Sequence, residues 1–185
     1  MTSFKQAIGF RDAGFNIHDV MAYKKKNTPF MRKNGYTRCF EFMIIATKGS
    51  PKTFNPLKVK TVRNGYEGVP FNKGPDAINK KVIKKLNKEK TKTNIWEYAV
   101  GLGGTTSDRI AFKHPAVFPE KLAEDHILSW TNEGDLVLDP MCGSGTTCKM
   151  AKLNGRKYIG IDISKEYCKI AEERTQLVKF QKKLV

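Results

Sequence analysis

The stretch Asp135–Ile163 constrains this chain more than any other. It reads Asp-Leu-Val-Leu-Asp-Pro-Met-Cys-Gly-Ser-Gly-Thr-Thr-Cys-Lys-Met-Ala-Lys-Leu-Asn-Gly-Arg-Lys-Tyr-Ile-Gly-Ile-Asp-Ile. Leu136, Val137 and Leu138 form an apolar run long enough for a buried parallel strand, and Asp139 and Pro140 stop it. Gly143-Ser144-Gly145 follows, a turn with few side chains to keep a ligand from the backbone. Thr146–Leu153 reads as a helix closed by Asn154-Gly155. Tyr158–Ile161 reads as a second strand ending at Asp162. Strand, glycine turn, helix, strand and terminal acid together predict a βαβ nucleotide-binding unit. Asp162 lies 19 residues past Gly143, near the roughly 20-residue spacing of a ribose-hydroxyl ligand.

The kind of nucleotide follows from what the turn lacks. Gly-x-Gly-x-x-Gly would suggest a dinucleotide, but Cys148 stands at the third glycine position. A phosphate-binding loop needs Gly-Lys-Ser/Thr, and no lysine precedes Thr146. Asp139 repels phosphate, whereas a carboxylate at a strand end suits a cation. S-adenosylmethionine carries a sulfonium and an ammonium group. Asp-Pro-Met-Cys-Gly-Ser-Gly-Thr-Thr followed by Tyr-Ile-Gly-Ile-Asp resembles the cofactor motifs of the S-adenosylmethionine-dependent DNA amino-methyltransferases, which modify adenine N6 or cytosine N4.

Composition agrees with a polyanionic partner. The 185 residues allow one domain, or one domain with an insertion, and 39% apolar residues support a modest core. A net charge of +16 and a pI near 9.7 point to nucleic acid. No stretch approaches the roughly 18 apolar residues of a membrane span, and the N-terminus has no signal-peptide pattern. Cys39, Cys142, Cys148 and Cys168 include no C-x-x-C pair and read as free thiols in a reducing cytoplasm. His18, His114 and His126 are too scattered for a metal site, so no metal is expected.

Residues 4–13 look helical, and Gly14-Phe15 is a turn. Ile17–Lys24 and Phe40–Thr47 read as strands, and their separation favours an antiparallel pair. Both segments resemble the last two strands of the methyltransferase sheet. The loop between them is similar to one lying near the target base, where Tyr36, Phe40 and Phe42 are candidates for stacking. Packing within the sheet is the simpler role for these rings. From Lys48 to Lys92 there are 13 Lys or Arg against three acids, a local net of +10. The resemblance makes this insertion the target-recognition segment, in contact with double-stranded DNA. Lys58, Lys60, Arg63, Lys80, Lys81, Lys84 and Lys85 are its phosphate-contact candidates.

Lys113–Ala123 carries His-Pro-Ala-x-Phe-Pro-x-x-Leu, and Pro119 suits the first turn of a helix. Leu122, Ala123, Ile127 and Trp130 give that helix one apolar face. The motif resembles the one that precedes the glycine turn in circularly permuted members of the family, where it closes over the methionine end of the cofactor. The resemblance therefore implies a cofactor set of His114, Phe118, Pro119, Leu122, Asp139, Pro140, Gly143, Ser144, Gly145, Thr146 and Asp162. Ser164 is placed to cap a last helix whose buried stripe is Tyr167, Ile170, Ala171, Leu177 and Val178, and a basic tail, Lys179–Lys183, follows.

The family's catalytic motif, Asp/Asn/Ser-Pro-Pro-Tyr/Phe, has no match. The eight prolines, at 29, 51, 56, 70, 75, 115, 119 and 140, include no adjacent pair. Asn27-Thr28-Pro29-Phe30 is the nearest imitation, and it follows the wrong strand. No catalytic residue is therefore assigned. The implied fold is α/β: a Rossmann-like class I methyltransferase fold, circularly permuted, with an incomplete sheet. Residues 1–49 are expected to supply strands of the catalytic half, 50–110 the basic insertion, and 111–185 the cofactor-binding half. Without the catalytic strand, Leu136–Leu138 should show an apolar edge. The chain is thus expected to be a fragment, or a subunit completed by a second chain that brings the catalytic motif. Two alternatives stay open: an RNA guanine-N2 methyltransferase, which shares a similar glycine motif, and a catalytically inactive DNA-binding remnant.

Overall fold

A computed structural model describes residues 2–27, 32–62, 66–70, 81–85 and 87–178. They fall into two units, Met1–Asn55 with Asn94–Val185, and Pro56–Thr93.

The first unit opens with helix α1 (Thr2–Asp12), turns at Gly14 in the left-handed region, and continues into strand β1 (Asn16–Lys25) and strand β2 (Phe40–Thr47). β1 and β2 are antiparallel, as their spacing predicts, with Val20 opposite Ile44 and Ala22 opposite Phe42. On one face Phe42 packs against Phe4 of α1, with ring centroids 5.4 Å apart, and Phe40 meets Phe42 edge-on at 5.3 Å. Met21 and Tyr23 are buried on the other face.

The second unit contains strands β3 (Lys58–Lys60), β4 (Tyr66–Pro70), β5 (Lys81–Lys85) and β6 (Glu89–Thr91). β3 pairs with β6 and β4 with β5, both antiparallel, as two two-stranded sheets of which the second lies within the first in sequence. This unit is narrower than the insertion expected over 50–110. Residues 50–55 and 94–110 belong to the first unit. Lys-rich strands lack the apolar alternation that marks a half-buried strand, so the sequence pattern hides the pairing.

Back in the first unit, strand β7 (Ile95–Tyr98) lies parallel to β1, giving the order β2-β1-β7. Its alternate residues Trp96 and Tyr98 are buried. A 3-10 turn (Arg109–Lys113) leads to helix α2 (Glu120–Trp130), strand β8 (Leu136–Asp139), helix α3 (Thr146–Leu153), strand β9 (Lys157–Gly160) and helix α4 (Lys165–Gln176). β8 and β9 are parallel, with Leu138 opposite Ile159, and α3 is the crossover between them. Asn154 and left-handed Gly155 end α3, and the Ser164 hydroxyl accepts the Tyr167 N–H to cap α4, both as the sequence predicts.

Helix α2 binds the two sheets together. Ala123 and Ile127 pack with Met150 and Ala151 of α3, against Val137 and Leu153. On α2's other side the His126 ring lies 4.7 Å from Trp96, and the Tyr98 hydroxyl donates to Asp125 Oδ2 at 2.5 Å. Burial first, and then the Asp125 carboxylate, push the Tyr98 hydroxyl's pKa far above its ordinary value. Asp125 also accepts from Lys121. Among the described residues β8 pairs with β9 alone. Leu136 and Leu138 are both 57% exposed, and Ile159 and Ile161 are exposed as well.

Replacing Tyr98 with Phe keeps the ring and deletes a hydrogen bond to a buried carboxylate. The expected cost is about 1.5–3 kcal/mol, read as a lower urea midpoint at unchanged slope. An unshifted midpoint would mean that α2 is not tied to the sheet through this bond.

Candidate cofactor site

The site is built at the carboxyl ends of β8 and β9, where open parallel sheets bind ligands. Two left-handed glycines shape the loop between β8 and α3: Gly143 at φ +49° and Gly145 at φ +75°. Both also allow close approach. A Cβ on Gly145 would stand 2.6 Å from Ala171 Cβ of α4, and one on Gly143 would stand 2.9 Å from His114 Nε2. The loop is therefore clamped between α4 on one side and the His114 ring on the other.

Asp162 fastens the loop. Its Oδ2 accepts the Gly143 N–H and its Oδ1 the Ser164 N–H, each at 2.9 Å. These bonds to the ionised form, Ser164 first and Gly143 next, hold its carboxyl below the usual carboxylate range, and nearby His114 adds to the effect. A carboxylate has roughly four lone-pair sites, so these bonds do not exhaust its acceptor capacity. Asp139 sits at the end of β8, opposite Gly160, and its Oδ1 accepts the Met141 N–H at 3.1 Å.

The second wall is the His114–Pro119 segment. His114 Nδ1 accepts the Ala116 N–H at 3.2 Å, and Nε2 is the ring atom nearest Gly143. The ring meets Tyr167 of α4 edge-on, with centroids 4.4 Å apart. His114 and Phe118 also line a cleft of about 620 Å³, together with Tyr23, Lys25, Glu41 and the chain from Pro115 to Val117. Burial, and then Glu41, push the Tyr23 hydroxyl up to about 12. Pro119 is buried and caps α2 instead of entering its first turn, and Leu122 is buried on α2.

Ser144 and Thr146 take a different place from their neighbours. Both are buried, and their side chains face inward to Arg174. Arg174 is fully buried. Its Nη1 donates to the Ser144 carbonyl at 2.6 Å and to Ser144 Oγ and Thr146 Oγ1 at 3.1 Å. Its Nη2 reaches Glu120 Oε1 at 2.7 Å and its Nε reaches Asp108 Oδ2 at 3.1 Å. Lys149 Nζ lies 2.7 Å from the same two carboxylate oxygens. For Asp108, burial pushes the carboxyl pKa up, but Lys149 and Arg174 outweigh it and hold the value below the usual range. None of these four charged residues is singled out by a motif. The one sequence signal is Arg174's place four residues after Ile170, on the buried face of α4. That face is Ile170, Ala171, Arg174 and Thr175, whereas Leu177, expected in the stripe, is 73% exposed beyond the helix end.

The nucleic-acid candidates are not gathered here. Tyr36 is 98% exposed in the loop before β2, while Phe40 and Phe42 pack with each other and with α1. Lys58 and Lys60 are exposed on β3. Lys81, Lys84 and Lys85 lie on β5, while Arg63, Lys80, residues 28–30 of the Asn-Thr-Pro-Phe segment and the tail Lys179–Lys183 lie outside the described residues.

A family model described as DNA methylase, of the N6/N4 type, matches residues 2–173, and the chain belongs to this family. The fold is the Rossmann-like class I methyltransferase fold in permuted order, and among the described residues β8 pairs only with β9. The chain is 50% identical over 179 residues to the orphan methyltransferase M.BamHII of Bacillus amyloliquefaciens, covering 94% of this chain and 67% of the relative. It is 45% identical over 176 residues to the Type II methyltransferase M2.DpnII of Streptococcus pneumoniae, covering 94% and 56%. A solved M1.HpyAVI–SAM complex superposes with a TM-score of 0.59 at 26% identity, covering 91% of this chain and 66% of that one. The chain thus spans between about half and two thirds of the length of these relatives.

Two outcomes test the site's construction. Gly145→Ala combines left-handed strain with a clash on Ala171 and should cost about 2–4 kcal/mol in urea unfolding. A cost no larger than a surface glycine substitution would show that α4 does not clamp the loop. For Asp162, a carboxyl pKa lower in the folded state makes its contribution complete above the unfolded pKa and lost as pH falls through the folded one. In an acid titration by NMR, the Gly143 and Ser164 amide resonances should move together, with one midpoint below the ordinary Asp value of about 3.9. Separate midpoints, or a shared one above that value, would contradict the clasp.

Proposed function

We propose that this chain is the cofactor-binding portion of a DNA amino-methyltransferase that uses S-adenosylmethionine to methylate adenine N6 or cytosine N4. The observation that carries the reading is the Asp162 clasp on a glycine loop faced by His114. Asp162 keeps acceptor capacity for ribose hydroxyls, and the absent side chains of Gly143 and Gly145 let His114 and α4 close onto the loop it holds. Asp139 supplies negative charge beside a cationic ligand, and His114 and Phe118 form the wall for its methionine end. Bound there, S-adenosylmethionine would supply a sulfonium-activated methyl group for transfer to the amine nitrogen. The residues described here bind and orient, and the cleft beside His114 and Phe118 leaves room for a base.

DNA as substrate is supported by the net charge of +16 and by the Lys-rich strands of the second unit, which suit phosphate contact. The catalytic Pro-Pro motif is supplied from outside these residues, on a strand added to the free edge of β8. Such a strand would pair with the β8 backbone and place the motif beside Asp139, whether it comes from the same polypeptide or a second chain. Four free cysteines suit work in the cytoplasm.

Calorimetry with S-adenosylmethionine tests the reading. Micromolar-range binding that is lost in Asp162→Ala is expected. Methyl transfer to DNA should appear only when a polypeptide carrying the Pro-Pro strand is added. A folded chain that binds no S-adenosylmethionine would overturn the proposal.

A further inference from the structure

We propose that Arg174 is a positioning residue, the centre of a buried node that sets the gap between the two walls of the cofactor site. The inference rests on the cofactor reading above and assigns a role to residues that do not touch the ligand. On one side the Arg174 guanidinium holds the glycine loop through the Ser144 carbonyl and the Ser144 and Thr146 hydroxyls. On the other it holds Asp108 and Glu120. These two acids bracket the segment that carries the second wall: Asp108 precedes the 3-10 turn leading to His114, and Glu120 follows Phe118 and Pro119. Both ends of that segment are thereby tied to the same planar group as the loop it faces.

Three further contacts stiffen the arrangement. Lys149 of α3 bonds the same two carboxylate oxygens. The Thr106 hydroxyl donates to Glu120 at 2.6 Å and accepts the Asp108 N–H at 3.0 Å. The Glu120 N–H donates to the Thr105 carbonyl at 3.0 Å. Two cations and two carboxylates balance in charge. Such clusters are a weak source of net stability, because desolvation offsets the attraction. What a guanidinium does supply is fixed geometry, with five donors in one rigid fork. A lysine at 174 would keep the charge and lose that fork.

The test uses Arg174→Met, Arg174→Lys and Thr106→Val. The last changes no charge and serves if the first does not fold. S-adenosylmethionine affinity is measured by calorimetry well below each variant's melting temperature. Amide hydrogen exchange is followed in the cofactor-free chain. Affinity should fall about tenfold or more in each variant, with Arg174→Lys no rescue. Exchange should rise together in residues 140–146 and 113–118 and stay unchanged in β1. A lower melting temperature with affinity within about twofold of the parent, or with the two segments responding independently, would reduce the node to a structural role and overturn the proposal. If the parent chain itself binds no S-adenosylmethionine, the cofactor reading fails separately, and the exchange measurement alone decides whether the node couples the walls.

Discussion

A guanidinium with no exposed surface sits behind the glycine loop, and the geometry of the site depends on it. Arg174 meets two carboxylates, a backbone carbonyl and two hydroxyls from three separate parts of the chain. An arginine stripped of water is tolerable only when its donors are met in this way. The cofactor loop is consequently held from both sides. Arg174 fixes its inner face, and Asp162 fixes its outer face through the Gly143 N–H. The first fastening uses buried side chains, and the second uses a carboxylate at the mouth of the loop.

The sheet tells a complementary story about incompleteness. β1 has a neighbour on each side, whereas among the described residues β8 has only β9. α3 covers one face of that pair through Val137, while Leu136, Leu138, Ile159 and Ile161 remain exposed on a parallel sheet that normally buries both faces. Helix α2 bridges the two sheets by packing on α3 and bonding to β7 through Asp125 and Tyr98. Side-chain packing by one helix thus spans an interval that a ladder of strand hydrogen bonds would otherwise fill.

Much of this was legible in the sequence. The glycine turn, the Asn154-Gly155 stop, the Ser164 cap and the β1–β2 pairing are local features with distinctive residues, and each forms as expected. The exposed edge of β8 also followed, from the absence of adjacent prolines. β7 was not legible, because four residues carry too little periodicity, and its inward Trp96 and Tyr98 gain meaning only beside β1. The strand pairs of the second unit were hidden by lysines that satisfy strand pairing without an apolar face. The buried node was least visible. The apolar stripe read from the sequence includes Leu177 and omits Arg174. Only the three-dimensional meeting of Asp108, Glu120, Lys149 and Arg174, up to 66 residues apart, makes burial of these charges affordable. Ser144 and Thr146 belong with this lesson: the motif includes them, yet their side chains serve the interior.

The central claim is that one loop, fastened by Asp162 and faced by His114, receives the cofactor. NMR mapping of S-adenosylmethionine on the isotope-labelled chain tests it most directly. The account predicts amide shifts concentrated in residues 139–146, 161–164 and 113–118, with the strands of the second unit unperturbed. Shifts centred on those strands, or a site that leaves Gly143 and Asp162 unmoved, would contradict it.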